Sequence, residues 1–240
     1  MNMTYYEEFS EMLNSHLLIA GKTGSGKSVC LHNLIYHAMF NSPNDFRIAL
    51  VDPKKVELNR YRNISHCIGY ADDILSIRDL LLECEYIMMS RYESMKKRGL
   101  NLWDGPTLYI FIDEYADLVL TDKKRIEPII QRIGQLGRAA KVFCCIATQY
   151  INGIIDTKIR CNFDRRICLH TATKSDSIKI LDHPGCELLP PYGEMYYIGK
   201  YETTRYNVPM IADKDLYSLI DYWTPKPLYK IILEKLTGLL

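Results

Sequence analysis

The chain has 240 residues, 48% hydrophobic and 25% charged, a balance that excludes a disordered tail or a fibre and allows a sizeable core. Thirty Lys and Arg against 29 Asp and Glu give a formal net charge of +1, so bulk charge neither announces nucleic acid nor excludes a local basic stripe. Apolar runs fall short of the roughly 18–20 residues that cross a bilayer, Met1–Ser15 carries Glu7, Glu8 and Glu11 instead of a signal-peptide core, and the eight Cys show no CxxC spacing. A soluble, reduced, cytoplasmic protein with no direct membrane insertion is expected.

Short apolar runs alternate with helical patterns along the chain. His16–Ala20 reads as a strand, then a glycine-rich turn, then a helix in which Leu31, Leu34, Ile35, Ala38 and Met39 keep helical spacing. Phe46–Asp52 is a second strand stopped by Pro53. Ile74, Ile77, Leu81, Cys84, Met88 and Met95 mark the core face of a long helix. Leu108–Ile112 is a third strand. Ile126, Ile129, Ile130, Ile133 and Leu136 then line a helix that tolerates Pro128 only near its first turn. Val142–Ala147 and Arg166–Leu169 are apolar runs of the kind buried on both faces of a parallel sheet. Gly193–Ile198 and Arg205–Pro209 suit an edge hairpin, and Asp213–Leu240 a helical tail broken at Pro225 and Pro227. This alternation predicts an α/β fold with a mostly parallel central sheet and helices on both faces. The expected divisions are a lead segment over 1–15, one main α/β domain over 16–212 and the tail over 213–240.

Gly21-Lys22-Thr23-Gly24-Ser25-Gly26-Lys27-Ser28 matches GxxxxGK[ST] between a predicted strand and a predicted helix. Glycines let backbone N–H groups turn toward phosphate oxygens, and the helix N-terminus, from Lys27 through Val29, adds a favourable dipole. Lys27 is expected at the β- and γ-phosphates of ATP and Ser28 on Mg²⁺. Asp113 and Glu114 follow the third strand, at the sheet end where ligands bind. Asp113 is expected to hold Mg²⁺, and Glu114 to polarise the attacking water. Gln149, ending the next strand, is placed to orient the γ-phosphate.

An ordered set of further motifs resembles the motor domain of the FtsK/SpoIIIE branch of the FtsK/HerA superfamily of DNA-pumping ATPases. It comprises Val51-Asp52-Pro53-Lys54-Lys55-Val56-Glu57-Leu58 with Tyr61, Glu85 with Arg91-Tyr92, Asp113 to Leu118, Gln135 to Ala140, Ala147-Thr148-Gln149, Thr173 to Ser177 and Ile180 to Glu187. The resemblance runs from about His16 to Tyr197. It implies a RecA-like P-loop NTPase fold, self-association into a ring, usually a hexamer, and ATP-driven movement along double-stranded DNA. Arg138 matches the family's arginine finger, reaching a neighbouring subunit's nucleotide. Arg160 and Lys174 match basic positions that face DNA in the pore. Independently, ten Lys and Arg between Lys123 and Arg166 stand against Glu127, Asp156 and Asp164.

The sequence also departs from the family. Tyr150-Ile151 follows Gln149 where relatives carry Arg-Pro, removing one expected DNA contact. A motor core is expected, without an ordered domain before it or a winged-helix module after it. Three other readings compete with the DNA translocase. A protein-secretion ATPase is the alternative; a single ATPase site and the basic stretch favour DNA. A small-molecule kinase would need an acceptor site, and Asp113-Glu114 points to water instead. A non-hydrolysing subunit would lack catalytic residues that this chain carries.

Overall fold

Eight strands form one sheet in the computed structural model, which describes residues 9–226. They are β1 (Leu17–Ala20), β2 (Phe46–Val51), β3 (Cys67–Ala71), β4 (Thr107–Ile112), β5 (Val142–Thr148), β6 (Arg165–Cys168), β7 (Glu194–Ile198) and β8 (Thr203–Asn207). The spatial order is β3-β2-β4-β5-β1-β6-β7-β8. Every pairing among β1 to β6 is parallel, and β7 and β8 add antiparallel strands at one edge. The helices are α1 (Lys27–Ala38), α2 (Ile74–Arg98), α3 (Tyr115–Leu136), α4 (Thr157–Asn162), α5 (Lys174–Leu181) and α6 (Asp213–Trp223).

Alternate strand residues point to opposite faces, and both faces are covered. Leu18, Ile110, Ile112, Cys144 and Ile146 pack under Leu81 and Met88 of α2 and Ile126, Ile130 and Ile133 of α3. Leu17, Ile19, Leu50, Phe111 and Cys145 pack against Leu31, Leu34 and Ile35 of α1 on the other side. Burial on both sides explains why the central strands read as continuous apolar runs. All eight cysteines are free. Six are buried, Cys67 is half-buried and Cys161 is exposed. Among the described residues no helix is long and apolar enough to cross a membrane.

The expected strands and helices lie close to their places, with three differences. β3 escaped the sequence pattern because it is a short edge strand containing Gly69, and four of its five residues are only half-buried. α3 begins at Tyr115, and a non-helical Asp122 (φ −149°, ψ 61°) breaks it into two segments. Pro128 lies deeper than its expected first-turn position, in the second turn after that break. Pro128 is exposed, and without an N–H it offers no helical donor to the carbonyl of Lys124. Residues 213–226 pack onto the domain. Leu216 joins the core beside α1, and the Trp223 indole N–H donates to the Met39 carbonyl at 2.7 Å. Residues 1–8 of the expected lead segment and 227–240 of the expected tail lie outside the described residues.

Candidate nucleotide-binding site

The parallel register brings the ends of β1, β2, β4 and β5 to one edge. Ala20 is level with Thr148, and Val51 with Ile112. Beyond β1 the chain turns through Gly24 (φ 79°) and Gly26 (φ 95°), left-handed positions that only glycine adopts without strain. α1 then starts at Lys27 with no side-chain cap on its first N–H groups, leaving those donors for a ligand. A cleft of about 340 Å³ opens there. It is lined by Lys22, Thr23, Gly24, Gly26, Lys27 and Ser28 of the loop together with Lys54, Val56, Glu57, Asp113 and Gln149, while Ser25 is buried beneath the loop. Val29 turns its side chain toward the α1 core instead, so only its backbone is available to the cleft.

Lys27 is buried and donates to the Asp113 carbonyl at 3.0 Å, with its ammonium 3.6 Å from the Asp113 carboxylate. Burial raises the Asp113 pKa, and its Oδ1 has no hydrogen-bond partner. Glu114 has no exposed surface. Its Oε1 accepts from Thr148 Oγ1 at 2.9 Å and the Gln149 N–H at 3.0 Å, and its Oε2 from Lys54 Nζ at 3.1 Å. Burial alone would lower Lys54, but the charge and hydrogen bond of Glu114 hold its ammonium above the usual lysine range. The Gln149 amide oxygen accepts from Thr23 Oγ1 at 2.6 Å, tying β5 to the phosphate loop.

Lys54 and Glu57 reach the cleft because Asp52 folds their loop back. Its buried carboxylate accepts from the Leu58 N–H at 2.9 Å, and Lys55 takes a positive φ of 63°. Ser28 Oγ donates to Glu57 Oε1 at 2.9 Å, and His32 Nε2 lies 3.2 Å from Glu57 Oε2. The His32 bond, working against burial and aided by Ser28, pulls the Glu57 carboxyl down to about 2. Sequence reasoning placed Lys54 and Glu57 in a motif without seeing that both face the phosphate loop. Among the described residues no three His, Cys, Asp or Glu side chains converge into a metal cage.

Arg138 lies at the opposite end of the sheet. It precedes β5, beside Ser15 and Asp164 that precede β1 and β6, and donates to Asp164 Oδ2 at 2.9 Å. The four residues of β1 separate that edge from the phosphate loop by about 13 Å. The turn is fastened from α2. Arg91 donates to the carbonyls of Ala140 and Lys141 at 2.8 and 3.0 Å, Tyr92 Oη to that of Leu136 at 2.7 Å, and Glu85 pairs with Arg132. Gly137 is required by close approach, because a Cβ there would fall on the Val142 carbonyl oxygen and within 2.6 Å of that of Ile133.

Arg160 and Lys174 stand at opposite ends of α5, about 12 Å apart along its axis. Arg160 donates to the Lys179 carbonyl at 3.1 Å and pairs with Asp182 at 3.0 Å, while Arg166 binds Ile180 O and the same Asp182. Both arginines therefore close the C-terminal end of α5. Lys174 begins that helix, after the Thr173 cap. The loop after β5 docks there too, with Asn152 donating to Asp176 Oδ1 at 3.0 Å, and Tyr150 stays exposed. The linear excess of basic residues is largely neutralised in space. Seven of the ten carry ion pairs, with Glu11, Glu85, Asp122 and Asp182 arriving from outside the counted segment.

The sheet order, the glycine loop and the acids at the strand ends define a P-loop ATPase fold. A family model for the FtsK/SpoIIIE family matches residues 1–105 and 100–152. The chain is 34% identical over 232 residues to the DNA translocase FtsK of Borreliella burgdorferi, covering 88% of this chain and 30% of that protein. Against the DNA translocase FtsK of Vibrio parahaemolyticus it is 29% identical, with coverages of 93% and 26%. This chain belongs to the FtsK/SpoIIIE family, and it spans less than a third of the length of these relatives. In solved structures the fold recurs in the conjugation coupling protein TcpA of pCW3 with ATPγS (TM-score 0.75, 21% identity, 88% of this chain and 66% of that one). The cytoplasmic domain of the type VII secretion ATPase EccC of Thermomonospora curvata also shares it (TM-score 0.72, 24% identity, 88% and 28%).

Proposed function

We propose that this chain is the ATP-hydrolysing motor of a DNA translocase that moves double-stranded DNA through a ring of identical subunits, a hexamer. The observation that carries the reading is the convergence of Lys27, Ser28, Asp113 and Gln149 on one cleft, with Glu114 buried just behind it against Thr148 and Lys54 and with Arg138 at the far end of the sheet. Mg²⁺ suits this donor set. The buried Oδ1 of Asp113, which faces the Lys27 ammonium but accepts no hydrogen bond, and the Ser28 hydroxyl are hard oxygen ligands, and a partial protein cage matches an ion that keeps waters and phosphate oxygens. When bound, the ion neutralises charge developing on the phosphates.

The chain's own groups supply the rest. Loop N–H groups and Lys27 hold the phosphates. Glu114 takes a proton from the attacking water once Lys54 releases its Oε2, and Gln149 orients the γ-phosphate. Arg138 cannot reach its own cleft and acts on the nucleotide of the adjacent subunit. Arg160 and Lys174 contact DNA phosphates, which gives binding without sequence preference. The homology to translocases named FtsK favours DNA over a secreted protein as the cargo.

The test is the steady-state ATPase rate without DNA, with single strands and with linear duplex, at low and moderate salt. Stimulation by duplex that fades with salt is expected. A rate indifferent to nucleic acid would refute the DNA cargo and move the chain toward protein secretion.

A further inference from the structure

Ser28 does not face the cleft alone. Its hydroxyl proton is already committed, donating to Glu57 Oε1 at 2.9 Å. A serine that ligates a cation does so through an oxygen lone pair, and its proton must then point away from the ion to an acceptor. Glu57 is placed to be that acceptor, and it is itself held. His32 Nε2 lies 3.2 Å from the second carboxylate oxygen, and His32 Nδ1 lies 2.9 Å from the hydroxyl of Tyr61, which is fully buried. With Tyr61 donating to Nδ1, His32 carries its proton on Nε2 and donates it to Glu57. The result is a directed chain from the core to the metal side of the cleft, Tyr61 to His32 to Glu57, meeting Ser28 from the other side.

Glu57 also lines the same cleft as Asp113. A second carboxylate facing bound phosphates repels them unless a cation stands between. The loop is nonetheless built to deliver it, through the Asp52 carboxylate and the Leu58 N–H.

We propose that Glu57 belongs to the shell around the metal ion, orienting Ser28 and adding charge for the cation, with His32 and Tyr61 as its positioning residues. This rests on the cleft binding a magnesium nucleotide, and it assigns the part of the site that favours the metal complex over the free nucleotide. No step of the hydrolysis passes through these residues.

The test is equilibrium binding of a fluorescent ADP analogue to the full chain, first in EDTA and then titrated with Mg²⁺, with Mn²⁺ and its electron-spin-resonance signal as a second readout. For Glu57→Gln the Mg²⁺ and Mn²⁺ midpoints are expected to rise ten- to a hundredfold, the usual effect of losing a partner that orients a ligand. Affinity in EDTA should hold or tighten, because a negative charge has gone. His32→Ala should reproduce part of the shift, and His32→Gln, which keeps a donor toward Glu57, should recover most of it; this pair reads the same quantity should Glu57→Gln fail to fold. A folded Glu57→Gln chain with the parent's metal midpoints would overturn the inference and leave the nucleotide site standing. A parent chain whose nucleotide affinity ignores Mg²⁺ would overturn both.

Discussion

At the C-terminal end of β5, Thr148 and the Gln149 N–H hold a glutamate with no exposed surface, and a lysine closes its remaining side. At the N-terminal end Arg138 is 66% exposed and anchored chiefly by one carboxylate, Asp164. In the proposed ring, the difference divides the labour of a site shared between subunits. The groups proposed to work on the subunit's own nucleotide are held in advance, where displacement would cost catalysis. The group assigned to the neighbour is left on a short tether, because an exposed ion pair contributes only about 0–1 kcal/mol and is readily exchanged for a better anion. What is rigid there is the turn beneath it, clamped by Arg91 and Tyr92.

Removing the tethered group gives the largest effect. Arg138→Ala is expected to lose about 10³- to 10⁵-fold in hydrolysis rate, with metal-free nucleotide binding intact. Mixing it with Glu114→Gln should restore activity, since some interfaces then pair an intact cleft with an intact Arg138. No recovery on mixing would break the comparison between the two ends. Glu114→Gln alone should lose about 10²- to 10⁴-fold while still binding ATP, read by single-turnover hydrolysis beside an equilibrium titration.

A third prediction concerns His16, which supports the Arg138 end. Its Nδ1 accepts the Cys144 N–H at 3.1 Å, and burial pushes its pKa down to about 4. The unfolded chain therefore binds a proton that the folded chain refuses between pH 6.5 and 4. Stability is full above about 6.5 and falls with pH through that window, on the order of 3 kcal/mol for the whole shift. Urea unfolding at steps from pH 7.5 to 4.5 measures this slope, and His16→Gln should reduce it, leaving the part that the buried His37 and His66, shifted in the same direction, contribute. Smallest is Gly137→Ala. Overpacking against two carbonyls should cost about 1–3 kcal/mol, visible as a lowered urea midpoint, and an unchanged midpoint would mean that the turn yields freely.

Much of this is legible in the sequence. Strand ends with Asp113-Glu114 and Gln149, and the glycines around Lys27, are local signals in the chain itself. Periodicity marked the buried faces of α1 and α2. β3 was not legible, because an edge strand that is half-buried carries little hydrophobic signal, and the break at Asp122 hid the first turns of α3. The Lys54–Glu114 and His32–Glu57 contacts join residues 60 and 25 positions apart, a proximity that only the crossovers of a parallel sheet create. The basic stretch overstates the local charge. A count along the chain cannot see Glu11, Glu85 or Asp182 folding onto it.

The distribution of the thiols has a practical use. Burial pushes Cys30 and Cys84 up to about 12 and Cys67 to about 11, and raises Cys144, Cys145 and Cys168 further. Thiolate is the species that reacts with maleimides, so these side chains are slow targets in the folded protein. Cys161 alone is exposed, and it follows Arg160 on α4. The natural sequence thus offers a ready attachment point for a dye on the element whose neighbour is assigned to the DNA path. A dye at that position would report the surroundings of α4 without first stripping the chain of its other cysteines.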